Sequence, residues 1–129
     1  ALAGLVAITA EPLTPGPITA MIIGSIGAII MYFGTKMLES YGLDDVVGAI
    51  PVHMFAGIFG TLVVPLTNSD TSFGTQFIGT ASVCIFSFVL SYATFYILKS
   101  TIGLRISKAA EKLGTDKAEV GVTAYSIRD

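Results

Sequence analysis

The sequence predicts an all-α membrane protein. Three observations carry that prediction: a mean hydropathy of +0.79, a charged content of 12% against about a quarter in soluble domains, and the placing of those charges. Asp, Glu, Lys and Arg are missing from residues 1–10, 12–35, 46–69 and 71–98. The last three stretches reach the roughly 20 apolar residues that a helix needs to cross a hydrocarbon core of about 30 Å. Strands of a membrane barrel need about 10 residues of alternating polarity, and AMIIGSIGAIIMYF at 20–33 does not alternate. Lipid offers the backbone no hydrogen-bond partners, so helices remain.

In chain order, residues 1–10 (ALAGLVAITA) are apolar throughout but cover only about half a bilayer at helical rise. They read as the end of a helix. With neither an initiator Met nor a basic leader, the start is expected to belong to a longer protein rather than to a signal peptide. EPLTPGP at 11–17 is a loop rich in chain breakers. A helix is expected over 18–38, where Ala20, Gly24 and Gly27 or Ala28 have the small-residue spacing that lets membrane helices approach closely. A loop at 39–45 precedes a helix near 46–66. TNSDTS at 67–72 supplies the turn formers of a loop at 67–73, and a helix follows near 74–99. Residues 1–100 are thus expected to be transmembrane and 101–129 to form a polar C-terminal region.

The basic residues are Lys36, Lys99, Arg105, Lys108, Lys112, Lys117 and Arg128, and the loops 11–17 and 67–73 contain none. Cytoplasmic segments are enriched in Lys and Arg. This sorting places the 39–45 loop and the C-terminal region in the cytoplasm of a multi-pass protein of the cell (inner) membrane. The bilayer is then the first partner. The net charge of −2 says little about a partner, since a solvated loop surface would give the same value, and neither a basic patch for nucleic acid nor an acidic tail is present. Cys84, the single cysteine, lies within a spanning run and reads as a buried, inert thiol.

His53 is the only histidine, set in GAIPVHMFAGIFG about eight residues beyond Asp45, or roughly 10 Å into the bilayer. Polar groups at such depth face the bundle interior or a water-filled path and mark substrate or proton routes. Ala49, His53, Gly57 and Gly60 share one side of an α-helix. That stripe serves either a narrow passage or a close helix contact, and the imidazole either faces a lumen or makes a structural hydrogen bond. Desolvation favours its neutral form, with one ring nitrogen donating and the other accepting. One His without nearby carboxylates makes no metal site. No nucleophile, phosphate loop or cofactor motif is legible, so neither an enzyme nor a cofactor is expected. Asp44 and Asp45 precede this helix, where they cap its N–H groups or meet basic residues of the tail such as Arg105. Pro51 fits if only the first turn is distorted.

DDVVGAIPVHMFAGIFGT resembles the segment of ammonium transporters that runs from a cytoplasmic Asp-Asp pair through a pore histidine to a Gly-rich helix. TIGLRISKAAEKLGTDKAEVGVTAY resembles the cytoplasmic C-terminal region of the same Amt/Rh family, and ALAGLVAITA the end of an earlier pore helix. The resemblance implies an eleven-helix bundle, with three full transmembrane helices plus the end of a fourth present here. It also implies a homotrimer with one conduction path for ammonium or ammonia per subunit, and no metal or cofactor. His53 falls on the second of two pore histidines, with Ala49, Gly57 and Gly60 as its pore-facing companions. Gly103, Leu104, Arg105, Glu111, Gly114, Asp116 and Tyr125 fall on the regulatory tail motif, which in relatives meets PII-type signalling proteins; Asp44 and Asp45 belong with it. The sequence departs from the pattern at Met54, Gly48 and Val120. Met54 would narrow the lumen, and the altered tail would mean the loss of PII-type control. The alternative function is an ammonium sensor, in which the transporter-like part is fused to a cytoplasmic signalling domain.

Overall fold

A computed structural model describes residues 1–124, and all their regular structure is helical. Tyr125 of the expected tail motif lies outside the described residues. Two compact units divide the chain, Ala1–Phe86 and the part from Ser87 onward.

The first unit contains α1 (Leu2–Thr9), α2 (Pro17–Ser40), a π-helical turn (Ile50–Phe55) that runs directly into α3 (Ala56–Val63), a 3₁₀ turn (Val64–Leu66) and the first half of α4 (Phe73–Thr101). α2 starts with Pro17 at its first position, where a missing N–H costs nothing. It runs past the expected residue 38 because Glu39 and Ser40 continue the helix, until Gly42 turns the chain at φ +68°. α4 likewise continues to Thr101. Gly103, at φ +81°, ends it by donating its N–H to the Leu98 carbonyl at 3.0 Å.

α2 and α4 have 24 and 29 residues, about 36 and 43 Å at 1.5 Å per residue, and both are long and apolar enough to cross a membrane. The third expected span is shorter. Its helix begins at Ile50 rather than residue 46, because Gly48 at φ +68° donates to the Asp45 carbonyl at 3.0 Å and holds the preceding residues in a turn.

The core of this unit is built from small side chains: Ala3, Ala7 and Ala56, with Ile23 and Val52. Lipid gives apolar side chains little reason to associate, so membrane helices gain most from close backbone approach. α1 and α2 meet in that way. A Cβ on Gly4 would lie 3.0 Å from the Gly24 carbonyl oxygen, and one on Gly27 would lie 2.5 Å from the Ala7 Cβ. By contrast, α4 buries no residue and carries Phe77, Phe86 and Phe88 exposed.

The second unit holds the rest of α4, then α5 (Lys108–Leu113) and a π-helical turn (Asp116–Val120). Ser107 caps α5, its hydroxyl accepting from the Ala110 N–H at 3.2 Å.

Candidate functional site

The site is built outward from Asp45. Its carboxylate accepts from the backbone N–H of Ala49 at 2.8 Å and of Ile50 at 2.7 Å, satisfying two donors that a helix start leaves open. Pro51 follows, fully buried. It sits in the first turn, where its missing N–H costs nothing, and the Ala56 N–H reaches back five residues to the Pro51 carbonyl, the spacing of a π turn. Such π turns concentrate at functional sites, and this one contains His53.

His53 is exposed on a cavity of about 300 Å³ that separates the π turn and α3 from the first half of α4. One wall consists of His53, Met54, Gly57, Ile58 and Thr61. The facing wall is a single stripe of α4, formed by Gln76, Gly79, Thr80, Val83 and Cys84, at the three- and four-residue spacing of one helix face. Most of this lining is apolar, and four side chains bring hydrogen-bonding capacity: His53, Thr61, Gln76 and Thr80. The Thr61 hydroxyl donates to the Gly57 carbonyl at 2.9 Å. Thr80 Oγ1 is the one buried side-chain oxygen or nitrogen without a hydrogen-bond partner among the described residues.

The four residues of the expected stripe separate. Gly57 stays with His53 on the cavity wall. Gly60 turns to α1, where a Cβ would overlap the Ala7 carbonyl, which is the close-contact use of the stripe. Ala49 sits exposed before the π turn, its N–H held by Asp45. An α-helical projection fails here because the π turn inserts an additional residue per turn between Ala49 and Gly57. Met54 is 47% exposed on the same cavity as His53.

Asp44 is exposed and shares a second hollow of about 240 Å³ with Asp45, Glu39 and Thr35. Within the second unit, Arg105 pairs with Glu111 at 3.1 Å on the surface. Leu104 is half exposed, Gly114 follows α5 at φ +96°, and Val120 is exposed at the end of the last π turn. Asp116 accepts from the Ala124 N–H at 2.8 Å; that bond, with another from the Lys117 backbone, holds its carboxyl below the usual range.

Sequence reasoning missed Glu11. Its carboxylate accepts from Asn68 Nδ2 at 2.8 Å and from the N–H groups of Leu13 and Thr14 at 3.1 and 3.3 Å, tying the loop after α1 to the loop before α4. The Asn68 bond is the chief cause of a Glu11 pKa below its ordinary 4.5. It also passed over Gln76 and Thr80, two polar residues four apart inside an apolar run, the pattern by which the second wall could have been found.

Residues 1–125 match the family model described as Ammonium Transporter Family. The chain belongs to the ammonium transporter family. It is 38% identical to ammonium transporter Amt2 of Archaeoglobus fulgidus, over 97% of this chain and 31% of that protein. Identity is 35% to ammonium transporter Amt2 of Methanocaldococcus jannaschii, over 96% of this chain and 31% of the relative. It is 30% to ammonium transporter 1 of Schizosaccharomyces pombe, over 100% and 31%. The chain therefore spans just under a third of the length of these ammonium transporters.

Proposed function

We propose that the protein containing this chain moves ammonium-derived nitrogen across a membrane, and that His53 lines the path in each subunit. The observation that carries the reading is the exposure of His53 from a π turn onto an otherwise largely apolar cavity, in a chain of this family. Moving the bare cation through such a lining would carry a large desolvation cost. Ammonium gives up its proton before the apolar section, and neutral ammonia exchanges hydrogen bonds with the His53 imidazole, which offers one donor and one acceptor when neutral. Gly57 leaves the ring accessible, while Met54 narrows the space beside it.

The parent protein is an eleven-helix bundle assembled as a homotrimer in the cell inner membrane, with the α5 region cytoplasmic. Support for that orientation comes from the loops 11–17 and 67–73, which carry no Lys or Arg, whereas basic residues flank the 39–45 loop and fill the C-terminal region. Gly103, Leu104, Arg105, Glu111, Gly114, Asp116 and Tyr125 serve as a regulatory surface for a PII-type protein, altered at Val120. The relatives named above are all called ammonium transporters, and no observation favours the fused-sensor alternative.

Ammonium-dependent current in proteoliposomes of the full-length parent protein tests the reading, with wild type compared with His53→Ala. A current that His53→Ala changes is the expected result. Absence of current from well-folded wild type, or a current indifferent to the substitution, overturns it.

A further inference from the structure

We infer that the last three turns of α4 form a binding site for one anionic phospholipid of the inner leaflet, with its headgroup on Lys99 and an acyl chain along the rings of Phe88, Tyr92 and Tyr96. The site depends on the proposed placing of α4 in the membrane and not on conduction past His53. The three rings are exposed and stack in file. Centroids of Phe88 and Tyr92 lie 6.1 Å apart and those of Tyr92 and Tyr96 6.4 Å, with interplanar angles of 22° and 17°. They make one continuous apolar strip, and strips of this kind mark interaction surfaces. Lys99 follows Tyr96 by three residues and Tyr92 by seven, so it stands on the same face. It is the only charged residue of α4, and among the described residues its ammonium has neither a carboxylate nor an aromatic ring as partner. The neighbouring hydroxyls of Ser100 and Thr101 are spent on the carbonyls of Tyr96 and Ile97, each at 2.8 Å, which leaves Lys99 to hold the headgroup.

Length, shape and charge each select a lipid as the occupant. From Phe88 to Lys99 the helix rises about 16 Å, close to the roughly 15 Å of one leaflet's hydrocarbon. With Lys99 at the headgroups, the rings run down one acyl chain to the midplane. A neighbouring helix fits the strip less well. Where helices of this chain meet, they do so through small residues, as Gly4 meets Gly24 and Gly60 meets Ala7, because membrane helices gain most from close backbone approach. Three large rings in a row prevent such an approach, whereas Ser87, Ser91 and Thr94 permit it on a face roughly 130° away at 100° per residue. The bundle takes that face and the rings are left to lipid. Residues 87–124 carry five basic and three acidic side chains in a chain whose net charge is −2, so this is its cationic part. An anionic leaflet attracts such a segment.

The test places a fluorophore in the strip. This chain contains no tryptophan, and Tyr92→Trp keeps an aromatic ring at the middle position. The full-length parent protein with Tyr92→Trp is reconstituted in phosphatidylcholine vesicles containing increasing fractions of brominated phosphatidylglycerol or of brominated phosphatidylcholine with the same chains. The readout is quenching of the fluorescence that Tyr92→Trp adds over wild type. Half-quenching by the phosphatidylglycerol is expected at about one-fifth of the fraction that the phosphatidylcholine needs, the preference that one lysine gives at an anionic surface. Adding Lys99→Gln removes that preference, and adding Lys99→Arg preserves it. Equal quenching by the two lipids, or a preference that survives Lys99→Gln, overturns the inference. Quenching by neither lipid also overturns it, because another helix of the parent protein or a second copy then covers the strip. Ammonium flux is not read, so a failure of the pore reading at His53 leaves this result standing, and the converse holds as well.

Discussion

Replacing Asp45 by alanine tests whether the helix carrying His53 is fixed from below by one carboxylate. The half-buried side chain accepts two backbone N–H bonds, at 2.8 and 2.7 Å. A lost N-cap costs about 0.5–2 kcal/mol, and hydrogen bonds to a charged group contribute about 1.5–3 kcal/mol each. With water able to replace part of both, about 2 kcal/mol is the expected local loss. That corresponds to a roughly 30-fold greater population of the open turn, which hydrogen–deuterium exchange reads directly on a peptide covering 46–55 in the full-length parent protein. Asp45→Asn keeps one acceptor oxygen and is expected to fall between wild type and alanine. Asp44, exposed beside it, provides the control, with Asp44→Ala expected to leave that peptide unchanged. Unaltered exchange at 46–55 in Asp45→Ala, or an equal rise over the whole protein, would show that the carboxylate does not hold this turn.

Gly60→Ala is expected to destabilise by about 1–3 kcal/mol, because its methyl meets Ala7 backbone atoms that cannot swing aside; thermal unfolding of the parent protein in detergent would show a lowered Tm. Glu11 has a folded pKa below its ordinary 4.5, so the stability it contributes is present above that value and disappears as pH falls through the folded pKa. Wild type and Glu11→Gln should therefore differ in Tm at neutral pH and converge in acid. Arg105 and Glu111 pair with 83% and 55% of their side chains exposed, so Arg105→Ala should leave Tm unchanged within error, as exposed pairs contribute little; a shift of several degrees would reveal a partner other than Glu111.

The helical plan was legible because it depends on composition. Charge-free runs marked where α2 and α4 lie, whereas their ends moved by one or two residues: Pro17 opens α2 instead of closing the loop before it, and α2 and α4 run on to Ser40 and Thr101, shortly before Gly42 and Gly103. The π turn was not legible: Pro51 signals a disturbed first turn, but nothing in the residue pattern sets whether the bond closing it spans four residues or five. That one local change rotates everything after it, which is why Gly60 faces α1 while Gly57 shares the cavity with His53. Glu11 and Asn68 lie 57 residues apart, too far for any local pattern to join them. Gln76 and Thr80 were hidden for a different reason. Attention to ionisable groups alone treats an uncharged hydroxyl in an apolar helix as neutral, whereas in a membrane its unsatisfied bond is the informative property.

His53 lies between two backbone anchors of different kinds. On one side Asp45 grips the amides of Ala49 and Ile50; on the other, Gly60 brings α3 against the Ala7 backbone. Both anchors act on the main chain, and among the described residues no hydrogen bond reaches the ring nitrogens, so within this chain the imidazole is aimed by its helix. A side chain held in that way keeps its hydrogen-bonding capacity for whatever enters the cavity. The arrangement therefore separates position from chemistry. Changes at Asp45 or Gly60 should lower flux by misplacing the ring, whereas changes at His53 should alter it by removing the ring's own hydrogen bonds. Unchanged flux in a Gly60→Ala protein whose exchange at 46–55 has risen would contradict that separation, because the ring would then work without the placement its helix gives it.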